Sequence, residues 1–360
     1  MPTQAPTRPT SAPSQVPSTA NRTTSLIDII PIRLVLLLAK PYIAGRSQEE
    51  ALAIAKDIYA TKGFAGTMDI LGEDAVRSED CEASVSNYMN LIDSISTDRL
   101  KTNDPREQLT VSFKPSMFST MYPRPGKESE RAQEEAFDRI TRVVDYAAKR
   151  QINITLEAED HRWTNFQVES YLALIEAGYT NLGTVLQTRL LRTENDLNRF
   201  DERMRVRLVI GIYNEPREIA LTAKRAMKDM LVRYSAELLR RGTYVELATH
   251  DNGAIEQFYR QAIIPARVPA NRFEHQFLLG VPRDKVQTGL VNGGYFTALQ
   301  AKLSRTDAEY AESLAQTGAL VRMYLPFGSP AVSGAYCRRR LKENPNMITY
   351  GIKNLLRLQS

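Results

Sequence analysis

The richest concentration of chemically capable side chains lies near the C-terminus. There Tyr324-Leu325-Pro326-Phe327-Gly328 is followed by Tyr336-Cys337-Arg338-Arg339-Arg340-Leu341-Lys342-Glu343-Asn344. Adjacent arginines on a helix, with Tyr336 and Glu343 three or four residues to either side, fall on neighbouring turns. A guanidinium grips a carboxylate through two parallel hydrogen bonds, so such a cluster could clamp an acid, with Glu343 holding one arginine in place. A solvated basic helix face has the same composition. Elsewhere the standard signatures are absent: no Walker P-loop, no HExxH and no GxSxG occurs. His161, His250 and His275 are too few and too far apart to suggest a metal site.

The elements that must carry these residues follow a rhythm. Strand-like segments at 64–71, 109–114, 153–160, 181–187, 206–215, 244–250, 273–280 and 321–326 alternate with helical or polar stretches at 83–95, 128–150, 165–177, 193–203, 218–241, 255–262, 282–290 and 332–343. A helix over 48–62 precedes them, with Ala51, Ile54, Ala55, Ile58 and Tyr59 at helical spacing, and residues 25–45 read as a short helical lead-in. Eight strand-plus-helix units predict a parallel α/β sheet closed as a (β/α)8 barrel. A doubly wound nucleotide fold is weakened because no GxGxxG follows a strand.

A barrel places its reactive side chains at the C-terminal ends of the strands. Lys114, Glu157, Gln187, Arg207, Tyr213, Thr249, His250, Glu274 and Gln276 are expected there. Alternation says which way they face. Asn153, Thr155, Glu157 and Glu159 are polar, while Ile154, Leu156 and Ala158 between them are apolar. Thr110, Ser112 and Lys114 share a face opposite Val111 and Phe113. With helices covering the outside, the polar face points inward, where unpaired polar groups are costly unless a ligand uses them.

Composition sets the class. The 360 residues are 42% hydrophobic and 25% charged, with 47 basic and 42 acidic side chains, a net charge of +5. The clusters at 203–207 and 338–340 are too short for a nucleic-acid stripe, so no nucleic-acid partner is expected. Cys81 and Cys337 support no disulfide framework and favour a reducing compartment. The longest apolar stretch, 26–39, is broken by Pro31 and Arg33 and is too short to span a bilayer. Residues 1–24, rich in Pro, Thr and Ser, read as a disordered leader; a cleaved secretory signal is the alternative. The expected organisation is a leader at 1–24, helices at 25–62 and the barrel at 63–360.

The C-terminal segment resembles the proline dehydrogenase family, including the proline-oxidising domain of proline utilisation proteins. The family pattern YxxRRxxEN falls on Tyr336, Arg339, Arg340, Glu343 and Asn344. Six further stretches match in order. Val111-Ser112-Phe113-Lys114 is similar to the family's VSxK strand, and Leu156-Glu157-Ala158-Glu159 to its (V/L)DxE strand. Gly183-Thr184-Val185-Leu186-Gln187 is similar to GxVLQ, and Arg207-Leu208-Val209-Ile210-Gly211-Ile212-Tyr213 to RLVKGAY. Ala248-Thr249-His250 is similar to the ATH turn, and 273–280 to FEFQMLYG.

The resemblance implies a distorted (β/α)8 barrel that holds FAD and oxidises L-proline to 1-pyrroline-5-carboxylate, passing electrons to a quinone. It implies catalytic roles for Glu157 and Arg207. It implies cofactor contacts from Ala158, Gln187, Arg207, Ile210, Gly211, Ile212, Thr249 and His250. Lys114, Tyr213, Leu278, Tyr324 and Tyr336 would line a substrate pocket whose carboxylate clamp is Arg339 and Arg340. No metal is implied. The setting would be cytoplasmic, in at most peripheral contact with the inner membrane.

Four positions depart from the pattern. Ile210 replaces the lysine of RLVKGAY, Glu157 the aspartate of DxE and Leu279 the tyrosine of MLYG, and Pro115 replaces a leucine after Lys114. Glu157 keeps the charge but adds a methylene, enough to move a carboxylate by about an ångström, which positioned chemistry registers. Such changes are compatible with drift in a working enzyme, with another cyclic amino acid or ring amine as substrate, or with a barrel that binds without turnover. His161 and Trp163 have no assigned role, and Cys337 reads as a small filler.

Overall fold

The structure, a computed structural model, describes Pro31, Leu34, Val35 and Leu37, and residues 40–72, 74–329, 332–334, 337 and 338. The expected leader at 1–24 lies outside them, as do Tyr336, Arg339, Arg340 and Glu343.

Eight strands form one closed, all-parallel barrel in sequence order: β1 Ala65–Ile70, β2 Thr110–Phe113, β3 Ile154–Leu156, β4 Leu182–Gln187, β5 Arg205–Val209, β6 Tyr244–Ala248, β7 Phe273–Leu278 and β8 Val321–Phe327. Closure is made by β8 on β1, from Ala65 opposite Arg322 to Ile70 opposite Phe327. The expected (β/α)8 barrel is therefore observed. Each strand sends alternate side chains to opposite faces. Val111, Ile154, Leu156, Leu182, Val206, Leu208, Val245 and Leu247 point outward into a continuous apolar layer beneath the helices.

The helices are α1 Gln48–Lys62, α2 Ser78–Thr97, α3 Lys127–Lys149, α4 His161–Glu176, α5 Thr193–Asp196, α6 Lys224–Arg240, α7 Asn252–Phe258, α8 Asp284–Val291, α9 Gly294–Gln300 and α10 Arg305–Thr317. In α3 the buried apolar residues, Ala132, Ala136, Ile140, Val143, Val144 and Ala147, recur every three or four positions. Ser47 caps α1 by accepting from the Glu50 N–H, and Gly63 ends it in the left-handed conformation.

The structure corrects four expectations. The segment 153–160 is strand only over Ile154–Leu156; the Glu157 N–H still donates to the Phe113 carbonyl, and Asp160 then caps α4 by accepting from the Arg162 N–H. The segment 206–215 is strand only to Val209, because Gly211 at φ +96° turns the chain away. The following helix begins at Lys224, not 218, since Leu221 N–H donates to the Arg189 carbonyl and ties that stretch to the loop after β4. Finally, two helices, α9 and α10, stand between α8 and β8 where none was expected. Of the helix expected at 332–343, residues 332–334, 337 and 338 are helical, and the remainder lies outside the described residues.

Candidate active site

The inward faces of the strands carry charge in matched pairs. On β1 and just after β2, Lys114 Nζ lies 2.9 and 3.1 Å from the two carboxylate oxygens of Asp69, which also accepts from Ser112 Oγ at 3.2 Å. Across β3 to β5, Arg207 Nη1 donates to Glu157 Oε1. On β6, Glu246 lies 3.3 Å from Arg205 Nη1 and 3.4 Å from Arg207 Nε. On β7 and β8, Glu274 accepts from Arg322 Nε at 2.7 Å and from the Tyr244 hydroxyl at 3.1 Å. The buried acids Asp69, Glu157, Glu246 and Glu274 are thus balanced by Lys114, Arg205, Arg207 and Arg322. Pairing of this kind is what makes buried charge tolerable.

The pairs are stacked in depth. Glu274 sits near the start of β7 and Arg322 near the start of β8, where Arg322 also donates to the carbonyls of Gly66, Gln108 and Arg106. This corrects the expectation for Glu274: it seals the closed end of the barrel. Gln276, one pleat higher, donates to both Glu246 and Glu274 at 2.7 Å and bridges the floor to the site above. Arg322 overcomes the effect of burial and holds the Glu274 carboxyl below its ordinary pKa, whereas for Glu246 burial prevails and pushes it up.

At the open end, Gln187 Nε2 donates to the Glu159 carbonyl at 2.7 Å. Glu159 in turn accepts from the backbone N–H and hydroxyl of Ser116 and fixes the turn after Lys114. Arg189 donates to the Tyr213 carbonyl. Four buried atoms here have no hydrogen-bond partner: Gln187 Oε1, Arg189 Nε, and Nε and Nη2 of Arg207. Gly211 lies so close that a Cβ there would stand 2.6 Å from Gln187 Oε1 and 3.0 Å from Arg189 Cδ. Arg207 is nearly inaccessible to water and lies over the Tyr324 ring, 5.4 Å from its centroid. Burial works against its charge, but Glu157 and Glu246 outweigh burial and keep it protonated.

His250 follows β6. Its Nε2 accepts from the Leu278 N–H at 3.0 Å, its carbonyl accepts from Arg283 Nε at 2.8 Å, and its ring meets Phe277 edge-on. With Nε2 occupied as an acceptor, the ring proton belongs on Nδ1. Burial and Arg283 lower its pKa to about 4. Thr249 Oγ1 accepts from the Asp251 N–H.

The structure therefore brings Lys114, Glu157, Gln187, Arg207, Gly211, Thr249, His250, Leu278 and Tyr324 to one end of the barrel or to the strands leading there. Tyr213 is half-buried on the loop after β5. Ile210 packs against the apolar layer, Ile212 is exposed, and Ala158 is partly exposed beside Glu157. The loop is pinned at Glu215, whose carboxylate accepts from the His161 backbone N–H and lies 2.5 Å from His161 Nδ1. That gives His161 a role in holding the loop; Trp163 is a core residue against Phe166. Asp69 and Glu246 were not singled out from sequence. Their signal was the same alternation, a lone acid on the inward parity of an otherwise apolar strand.

The unpartnered acceptor of Gln187 and donors of Arg189 and Arg207, with Gly211 leaving room against Gln187 and Arg189, fit the edge of a flavin ring, which offers hydrogen-bond atoms of both kinds. No group of three His, Cys, Asp or Glu side chains among the described residues could hold a metal ion.

A closed eightfold barrel with buried, paired charges rising to its C-terminal mouth defines a (β/α)8 enzyme. The chain belongs to the proline dehydrogenase family: residues 55–349 match the model described as Proline dehydrogenase. The family is one of oxidoreductases and is generally flavin-dependent. Among relatives, a proline dehydrogenase of Deinococcus radiodurans is 28% identical over 322 residues, covering 89% of this chain and 90% of its own. Proline dehydrogenase 1 of Bacillus subtilis is 24% identical over 321 residues, covering 89% and 91%. Among solved structures, proline utilization A of Bdellovibrio bacteriovorus inactivated by N-propargylglycine superimposes with a TM-score of 0.69 at 20% identity. The match covers 84% of this chain but only 32% of that longer one, and it shows a shared fold.

Proposed function

We propose that this chain oxidises L-proline to 1-pyrroline-5-carboxylate with FAD. When bound, FAD supplies a hydride acceptor at N5 and returns to the oxidised state by passing electrons to a quinone. The observation that carries the reading is Arg207: a buried guanidinium fixed by carboxylates, with an unpartnered Nη2, on the strand that leads to Gly211, whose missing side chain leaves room against Gln187 and Arg189. A fixed cation at that place stabilises negative charge developing on an electron-accepting ring.

In this reading Glu157 orients Arg207. Gln187, Gly211, Ile210, Ile212, Ala158, Thr249 and His250 contact the cofactor. Arg339 and Arg340, within the family match, clamp the substrate carboxylate. Lys114, Tyr213, Leu278, Tyr324 and Tyr336 shape the pocket around the ring. The added cations of the clamp favour loss of the ammonium proton, so the nitrogen lone pair is free to expel hydride.

The rim supports a quinone acceptor met at a membrane surface. Of the eight exposed large apolar side chains among the described residues, six (Val76, Tyr122, Leu191, Ile212, Ile219 and Val332) lie on segments that leave the C-terminal ends of strands, while Leu34 and Leu37 precede β1. Among the described residues, no helix is long and apolar enough to cross a membrane, so such contact would be peripheral.

The departures at Glu157, Ile210 and Leu279 keep a second substrate in view, another cyclic amino acid or ring amine. Anaerobic bleaching of the FAD-loaded protein across a panel of cyclic amino acids decides. Bleaching by L-proline supports the proposal, bleaching only by another ring amine replaces the substrate, and failure to take up FAD ends the flavin reading. Replacing Arg339 or Arg340 should raise the half-saturating substrate concentration more than it weakens FAD.

A further inference from the structure

Arg207 and Glu246 are register partners on β5 and β6, so their side chains enter the barrel side by side. Glu246 is 1% exposed. Its carboxylate accepts from Gln276 Nε2 at 2.7 Å and approaches Arg205 Nη1 at 3.3 Å and Arg207 Nε at 3.4 Å. The last is a contact between opposite charges without hydrogen-bond alignment, since Arg207 Nε has no hydrogen-bond partner.

A planar guanidinium presents a limited set of donor directions. On Arg207, Nη1 is taken by Glu157 and the Nε side faces Glu246, which leaves Nη2. Turning the group about its stem would pull it from both carboxylates, and the Tyr324 ring lies across its face. Glu157 alone would define one contact and leave the plane free to swing. Neighbouring charges do not substitute for Glu246. Glu274 is occupied by Arg322 and Tyr244, and Asp69 by Lys114. Arg205 competes for Glu246, yet its own position is set by the Ile154 carbonyl at 2.8 Å and by the space that Gly183 leaves, where a Cβ would stand 2.8 Å from Arg205 Nε.

We propose that Glu246 is a positioning residue for Arg207: from the neighbouring strand it fixes the guanidinium plane, directs the Nη2 edge to the cofactor, and offsets part of the positive charge presented there. The inference rests on the flavin reading above. Glu246 would touch neither substrate nor cofactor and would act only through Arg207.

The test uses full-length protein loaded with FAD. Glu246→Gln keeps the size of the side chain and an oxygen for the Gln276 amide but removes the charge. Reduced flavin is the more negative form, so it should gain relative to oxidised flavin. Its relative affinity should rise about tenfold, read as a reduction potential about 30 mV more positive. The first-order rate of anaerobic bleaching should fall about tenfold at saturating substrate, with a much smaller change in half-saturation, because orientation is lost. Glu246→Asp restores the charge but not the reach, so the potential should return towards the parent value while the rate stays low. A purely structural role would lower stability in both variants and leave the potential unmoved.

If the parent takes up no FAD, the flavin reading fails before any variant is compared. If the parent bleaches normally and Glu246→Gln keeps its potential and rate, the positioning role is overturned. Should Glu246→Gln fail to fold, the double variant Glu246→Gln, Arg205→Gln removes one charge of each sign and must show the same slow bleaching; a parental rate there overturns the proposal equally.

Discussion

Lys114 Nζ is held between both oxygens of Asp69, 45 residues earlier in the chain, and both side chains are almost wholly shielded from water. Asp69→Asn breaks this buried ion pair, a change that costs up to about 3–5 kcal/mol in a protein interior. Urea unfolding should show that loss. The double variant Asp69→Asn, Lys114→Met should be more stable than the sum of its singles by more than about 1 kcal/mol, since contacting residues couple on that scale. Additive losses would mean that the pair is not the unit described.

Glu157 reaches across β4 to Arg207 with one methylene more than an aspartate would have. Glu157→Asp should withdraw the carboxylate by about an ångström. Misplacement on that scale can cost about a hundredfold in rate, so single-turnover bleaching should slow by at least about tenfold. Substrate half-saturation should move far less, because Glu157 would act on Arg207. A rate equal to the parent's would show that the longer acid is not matched to its partner.

The barrel was readable because its strands obey an alternation with a physical cause: Val111 and Phe113 face helices, while Thr110, Ser112 and Lys114 face inward. The same pattern misled beyond Val209, where Ile210, Gly211, Ile212 and Tyr213 look like continuing strand but the positive φ of Gly211 ends it. Helices α9 and α10 were missed because Gly293 caps α9 and Gly294 opens it, and because α10 buries only Ala311 and Leu314, which leaves little periodic signal. Asp69 and Glu246 were hidden for another reason. Each is a lone acid in its strand, and only cross-strand register brings it to Lys114 or Arg207.

Gly211 occupies a backbone conformation that disfavours side chains, and its missing Cβ is the space facing Gln187 Oε1. Gly211→Ala adds strain of about 1–3 kcal/mol and a contact that the Gln187 amide must yield to. FAD titration should show affinity weakened by at least about tenfold, the equivalent of about 1.4 kcal/mol. The eight-stranded core should survive, since Gly211 lies outside every strand. Unchanged FAD affinity would remove the loop after β5 from the cofactor site.

His250 gives stability a definite pH dependence. Its ordinary value is 6.5, and burial and Arg283 bring it to about 4 in the folded chain, where Nε2 is also committed to the Leu278 N–H. Between these values the unfolded chain binds a proton that the folded chain refuses. Stability therefore falls as pH drops through this window and is insensitive to His250 above it. The slope is at most about 1.4 kcal/mol per pH unit for one group. His275, lowered to about 3 by burial, contributes with the same sign. Carboxylates with depressed values, such as Glu82 and Asp93, also lose stabilisation on acidification, but mainly nearer their own ordinary values of 4.5 and 3.8. Urea unfolding of the parent and of a His250 variant without added FAD, from about pH 6.5 to about pH 5, isolates the His250 contribution as the difference between the two slopes, because Glu246, raised by burial and titrating with the opposite sign, is common to both. His250→Gln should flatten the slope there by up to about 1.4 kcal/mol per unit. An unaltered slope would mean that His250 is protonated in the folded chain and that the Leu278 N–H does not occupy its Nε2.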